Sequence, residues 1–209
     1  METEEIREKK EPKRLPVWAC ILLFALGLFV CMGLYGTIGF GLLSLILGDE
    51  ARHPGLLVYT VTEANMLLSV LTPAVILLYF ERRPFSDLGL TLKGHVRGLW
   101  YGLLVAMLLY LIGFGLSLAI GEVEVTGFQF DPLNLLGTFV FCLLVALTEE
   151  IMMRGYILGR LLHTRMNKFL ALFVSALLFA LLHIFNPNVA FLPMLNLVIA
   201  GMLIGASYL

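Results

Sequence analysis

The chain has 209 residues, 60% of them apolar and 14% charged, and its mean hydropathy is +0.95. Soluble domains average near half apolar and a quarter charged. The composition therefore excludes a disordered chain, a disulfide-rich secreted module and a basic nucleic-acid binder, and it points to a membrane protein. Fourteen Lys+Arg against 15 Asp+Glu leave a net charge of −1, so no global field draws a polyanionic partner.

A helix crosses a bilayer with about 20 apolar residues. The first uncharged run, Leu15 to Gly48, is longer than that. It is expected to tilt, or to continue as an interfacial segment after Gly36, Gly39 and Gly41. With Gly33, these glycines read as a close-packing series; no strand precedes them, which argues against a nucleotide loop. Further spans are expected at Leu56–Phe80, Val96–Ile120, from near Leu133, at Phe169–Phe185 and at Val189–Tyr208. The fold class is an all-α, polytopic membrane helix bundle of about six spans. Residues 1–16 form a charged tail, and residues 17–209 form the membrane-embedded domain.

The 14 basic residues sort along this plan. Five lie in the tail (Arg7, Lys9, Lys10, Lys13, Arg14) and one, Arg52, in the first loop. Four follow the second span (Arg82, Arg83, Lys93, Arg97), and four follow the fourth (Arg154, Arg160, Arg165, Lys168). The third and fifth loops hold none. By the positive-inside rule this alternation places the N-terminus in the cytoplasm of a multi-pass cell-membrane protein. The first segment does not read as a cleaved signal peptide, because its flank is mixed in charge and its apolar run too long. Cys20, Cys31 and Cys142 lie in apolar runs without metal spacing and read as core or lipid-facing residues.

Ionisable groups inside a span are costly and mark functional candidates. At the end of the fourth apolar run, Glu149 and Glu150 are adjacent and Arg154 follows. Glu150 and Arg154 have the i,i+4 spacing of a helical ion pair in its favourable order. Glu149 lies about 100° around the helix and is left without a charged partner, which suits it to general-base work. In the fifth span, Ser175, Phe179 and His183 share one stripe. A lone histidine at a helix end is commonly structural. Here, however, the midpoint of positions 149 and 183 falls in the polar turn His163–Asn167. Glu149 and His183 are therefore expected at matching heights on a helical hairpin, where together they could activate water.

Other polar residues read more blandly. Glu63 and Asn65, near the start of the second span, suit a helix N-terminus. His53, His95 and His163 read as solvated loop residues, and Asn196 as a hydrogen-bonding residue between helices. No His-Glu-x-x-His pair is present.

Glu149-Glu150-x-x-x-Arg154, followed by Phe179-x-x-x-His183 on the next span, resembles the CPBP intramembrane proteases. These are the CAAX-protease and bacteriocin-processing group that includes the type II CAAX prenyl endopeptidase. The stretches ERRPFSDLGL and HIFNPN also resemble bacterial members. The resemblance implies peptide-bond hydrolysis within the membrane, with Glu149 and His183 catalytic and Glu150, Arg154 and Phe179 supporting. It leaves two forms of that chemistry open: a metal-free pair, or zinc held through Glu149 and His183. The family has a further His-x-x-x-Asn helix, which has no counterpart up to Leu209. The expectation is a sequence cut short there, with Asn196 the last candidate polar residue of the site.

The first reading is thus an endopeptidase acting on membrane-associated peptides or proteins, with the bilayer as its setting and no nucleic-acid partner. The missing motif motivates a second, a non-catalytic scaffold or bacteriocin-immunity protein. The buried Glu and His motivate a third, a small proton-coupled transporter, although no inverted repeat is visible.

Overall fold

The computed structural model describes residues 15–53, 55–91, 94–187 and 189–209. Most of the charged tail, including its five basic residues, lies outside the described residues, as do Lys93 and Asn188. Among the described residues six helices follow one another: α1 (Val17–Leu47), α2 (Leu56–Phe80), α3 (Val96–Ala119), α4 (Pro132–Leu162), α5 (Lys168–Leu182) and α6 (Phe191–Ala206). Short 3-10 turns at Gly48–Arg52 and Phe85–Leu88 follow α1 and α2. Among the described residues there is no strand. The architecture is the all-α bundle expected, and its apolar helices make it a multi-pass membrane protein.

Helices α1 to α4 are long and apolar enough to cross a bilayer. The last two differ from expectation. Helices α5 and α6 have 15 and 16 residues and stop short of Phe185 and Tyr208. The end of α5 has a local cause: the His183 ring bonds the Phe179 carbonyl at 2.9 Å, and Asn186 N–H donates to the His183 carbonyl at 3.0 Å, so the chain turns.

Of the two courses expected for the first run, α1 takes the continuous one rather than a separate segment after the glycines. The helix runs unbroken through Gly36, Gly39 and Gly41, as hydrocarbon demands of a backbone with no other partner for its polar groups. The glycine series is also not a packing stripe. A Cβ on Gly33, Gly36 or Gly41 would meet nothing within 4 Å, and only Gly39 approaches another helix, at Asn65. At about 100° per residue these positions spread around the helix and share no single face.

Two of the other helix starts have side-chain caps. Asp131 accepts from the N–H groups of Leu133 and Asn134 at 3.0 and 3.1 Å, with Pro132 in the first turn of α4. Asn167 accepts from Phe169 N–H at 2.9 Å and opens α5. Both are short polar residues meeting free donors of a first turn.

The core forms around the second half of α4. Within that helix, Ile151–Leu158 is wound as a π-helix, and all eight residues are buried. Phe24 of α1 stacks on Tyr156 with ring centroids 4.3 Å apart. The turn at Phe85–Leu88 presses so close that a Cβ on Gly155 would lie 2.6 Å from the Leu88 carbonyl oxygen. Helix α3 contributes no buried residue.

At the α4–α5 turn end of the bundle a polar cluster replaces the expected loop base. Arg160 is buried inside α4 and paired with Glu81 at the end of α2. Cys20 of α1 donates its S–H to Glu81 Oε1 at 2.8 Å, and Tyr156 O–H donates to the Cys20 carbonyl at 3.4 Å. The Arg160 guanidinium also lies 5.0 Å from the Tyr156 ring centroid. Arg160 is therefore an interhelical residue, because its position on α4 turns inward at a level where Glu81 is within reach. Cys20 is a hydrogen-bonded core thiol, Cys31 is partly buried and Cys142 is exposed.

Candidate functional site

The site is built where α4 and α5 face each other above their shared turn. Glu149 is near the end of the regular part of α4, just before the π stretch, and His183 caps α5. Glu149 Oε1 and His183 Nε2 are 3.7 Å apart, with side chains about a third and a fifth exposed. The other imidazole nitrogen settles the tautomer. Nδ1 faces the Phe179 carbonyl at 2.9 Å, and a carbonyl can only accept, so Nδ1 carries the hydrogen. In the neutral ring Nε2 then presents a lone pair to a carboxylate oxygen. Two acceptors cannot bond each other, but one water has a hydrogen for each.

Glu150 points elsewhere. Its Oε1 pairs with Arg154 at 3.0 Å. Arg154 is almost fully buried; it also donates to the Gly201 carbonyl of α6 at 3.5 Å, and its guanidinium lies over the Phe179 ring at 5.0 Å. Phe179 meets the His183 ring edge-on, with centroids 4.7 Å apart. Contacts thus run from Glu150 through Arg154 and Phe179 to His183, which stands opposite Glu149. Ser175, on the same stripe of α5, donates to the Met153 carbonyl at 3.3 Å and joins α5 to the π stretch.

Asn196 makes no hydrogen bond between helices among the described residues. It is exposed and lines a cleft of about 410 Å³ together with His183 and Asn186. The site also has a neighbour that the sequence did not single out for it. Glu63 of α2 lies within electrostatic range of Glu149, because α2 and α4 run side by side with Leu56 against Gly137 and Tyr59 against Phe141. Read on α2 alone, Glu63 is an ordinary first-turns acid; only the register between the helices brings it toward Glu149. His53, His95 and His163 stay exposed and away from the site, and His163 bonds the Gly159 carbonyl at 2.6 Å.

Glu149 and His183 are the two side chains able to ligate a metal here. Among the described residues no group of three or more His, Cys, Asp or Glu side chains is arranged to hold one. A catalytic zinc normally takes three protein ligands and an open position. This donor pair alone does not meet that requirement.

Residues 131–209 match the family model described as type II CAAX prenyl endopeptidase Rce1-like. No curated protein and no solved structure matches the chain. The matched segment starts at the cap of α4 and includes Glu149, Glu150, Arg154, Phe179, His183 and Asn196. This part of the chain is thus similar to the CPBP/CAAX protease family.

Proposed function

We propose that this chain is an intramembrane endopeptidase in which Glu149 and His183 activate water against a peptide bond of a membrane-associated peptide or protein. The observation that carries this reading is the 3.7 Å approach of the carboxylate to an imidazole nitrogen whose partner nitrogen is already committed to Phe179. A water between them donates one hydrogen to each and turns an oxygen lone pair outward. As that oxygen bonds the carbonyl carbon, Glu149 takes the proton, and it returns the proton to the amide nitrogen as the C–N bond breaks. His183 holds the second hydrogen and fixes the direction of attack. Glu150 and Arg154 do no proton transfer; they hold Phe179, and through it the imidazole. The basic-residue alternation supports a cytoplasmic N-terminus, which puts the α4–α5 turn on the cytoplasmic side.

The test is cleavage of a library of bilayer-anchored peptides by purified, reconstituted protein, read by mass spectrometry. Glu149→Gln and His183→Ala are each expected to lower the rate by about 10²- to 10⁴-fold, the usual worth of a positioned proton-transfer group. If both variants are folded, inserted and as active as the parent, the reading is wrong.

A further inference from the structure

The geometry points to Asn196 as a substrate-positioning residue whose carboxamide holds the backbone of an extended peptide beside Glu149 and His183. The inference rests on the peptidase reading above and names what the cleft next to that pair accepts. Helices α5 and α6 pack antiparallel and close. A Cβ on Gly201 would lie 3.1 Å from the Ala176 Cβ and 3.5 Å from Phe179, and a Cβ on Gly205 would lie 2.5 Å from Leu172. Continued along the pair, this register puts Asn196 at the level of His183. There the cleft of about 410 Å³ opens between His183 with the turn that follows it and the first half of α6.

Its lining is mainly apolar and includes Pro187 and Pro193; His183, Asn186 and Asn196 supply the side-chain polar groups. An exposed amide on an apolar helix is unfavourable against hydrocarbon. It is favourable against a ligand that offers both a donor and an acceptor. A peptide bond must leave its helix to be attacked, and inside a membrane the freed N–H and C=O then have no water to turn to. One carboxamide supplies one acceptor and one N–H donor pair, the complement of a single peptide unit. The two prolines lack N–H groups and cannot compete for the substrate's carbonyls. The ligand is therefore an unwound, largely apolar peptide segment recognised through its main chain.

Binding tests this separately from catalysis. A fluorescein-labelled peptide with an apolar run of about 20 alanines and leucines is titrated by Förster transfer against the labelled full chain in phosphatidylcholine vesicles. The background is Glu149→Gln, so that no cleavage intervenes. Asn196→Leu is expected to weaken binding about tenfold with an unchanged melting temperature, and Asn196→Gln to recover part of the loss. In the cleaving protein, Asn196→Leu is expected to raise KM more than it lowers kcat. Unchanged binding in Asn196→Leu, or no binding to the Glu149→Gln chain at all, overturns the inference. If Asn196→Leu melts early, Asn196→Gln and Asn196→Asp decide it: both binding as the parent does overturns it, and graded loss supports it. Loss of binding in a chain that never cleaves any peptide keeps the inference and removes the peptidase reading.

Discussion

Arg154 serves three neighbours at once: a carboxylate, a backbone carbonyl and an aromatic face. A planar guanidinium can do this and an ammonium cannot. Arg154→Lys is therefore expected to destabilise the protein by about 1.5–3 kcal/mol, the worth of a hydrogen bond to a charged group, since Arg154 is buried while Glu150 is partly exposed. Thermal unfolding in detergent measures it, and a shift of less than 0.5 kcal/mol, the scale of an ordinary surface change, would contradict it. At this scale much of the site was legible in advance. The Glu150–Arg154 pair is a local spacing, and Glu149 and His183 are equidistant from one turn. What escaped was whatever depended on a partner far along the chain. Arg160 looked like one more cationic flank until Glu81 was placed beside it, and Cys20 like inert filler until its thiol met the same carboxylate.

At the level of elements, the contact between α5 and α6 positions His183. Gly201 and Gly205 are where the helices touch, whereas Gly33 faces open space. Gly201→Val should wedge the pair apart, costing about 1–3 kcal/mol as overpacking does, and should lower peptide cleavage as His183 moves away from Glu149. Gly33→Val is the matched control and should leave both melting temperature and cleavage near those of the parent. Equal effects from the two would show that the contact does not position the site. Which glycine matters could not be read from the sequence, because what decides it is the helix that each one faces. Helix number and type were legible, since long uncharged runs leave the backbone no other choice. The ends of α5 and α6 were not, because side-chain bonds around His183 stop α5 before its apolar run is exhausted.

For the whole molecule, the distribution of basic residues makes a prediction about topology. With Cys31 and Cys142 replaced by serine and the buried Cys20 kept, Arg165→Cys and Glu122→Cys place thiols at exposed positions in the α4–α5 turn and the α3–α4 loop. An impermeant maleimide added outside intact cells is expected to label Glu122→Cys and to reach Arg165→Cys only after permeabilisation. The reverse pattern would invert the molecule. Of the four bases that follow the fourth apolar run, Arg165 and Lys168 are exposed but Arg154 and Arg160 are buried, so a count of bases also collects residues with interior work.

The π-wound stretch between Glu150 and Gly159 sets the phase of α4. It takes more residues per turn than an α-helix, with hydrogen bonds from i to i+5. The two ends of α4 are therefore clocked against each other. Arg154 is aimed at Glu150 on one side of the stretch, and Arg160 at Glu81 on the other. Rewinding it as α-helix would rotate one of these guanidinia away from its partner. Slack of this kind makes the helix unequal in its tolerance of lost residues. Deleting one residue inside 151–158 can be absorbed by tightening, whereas deleting one inside 133–148 turns everything beyond it by about 100°. Expression and melting temperature of two such deletions, one in each half, should differ in that order.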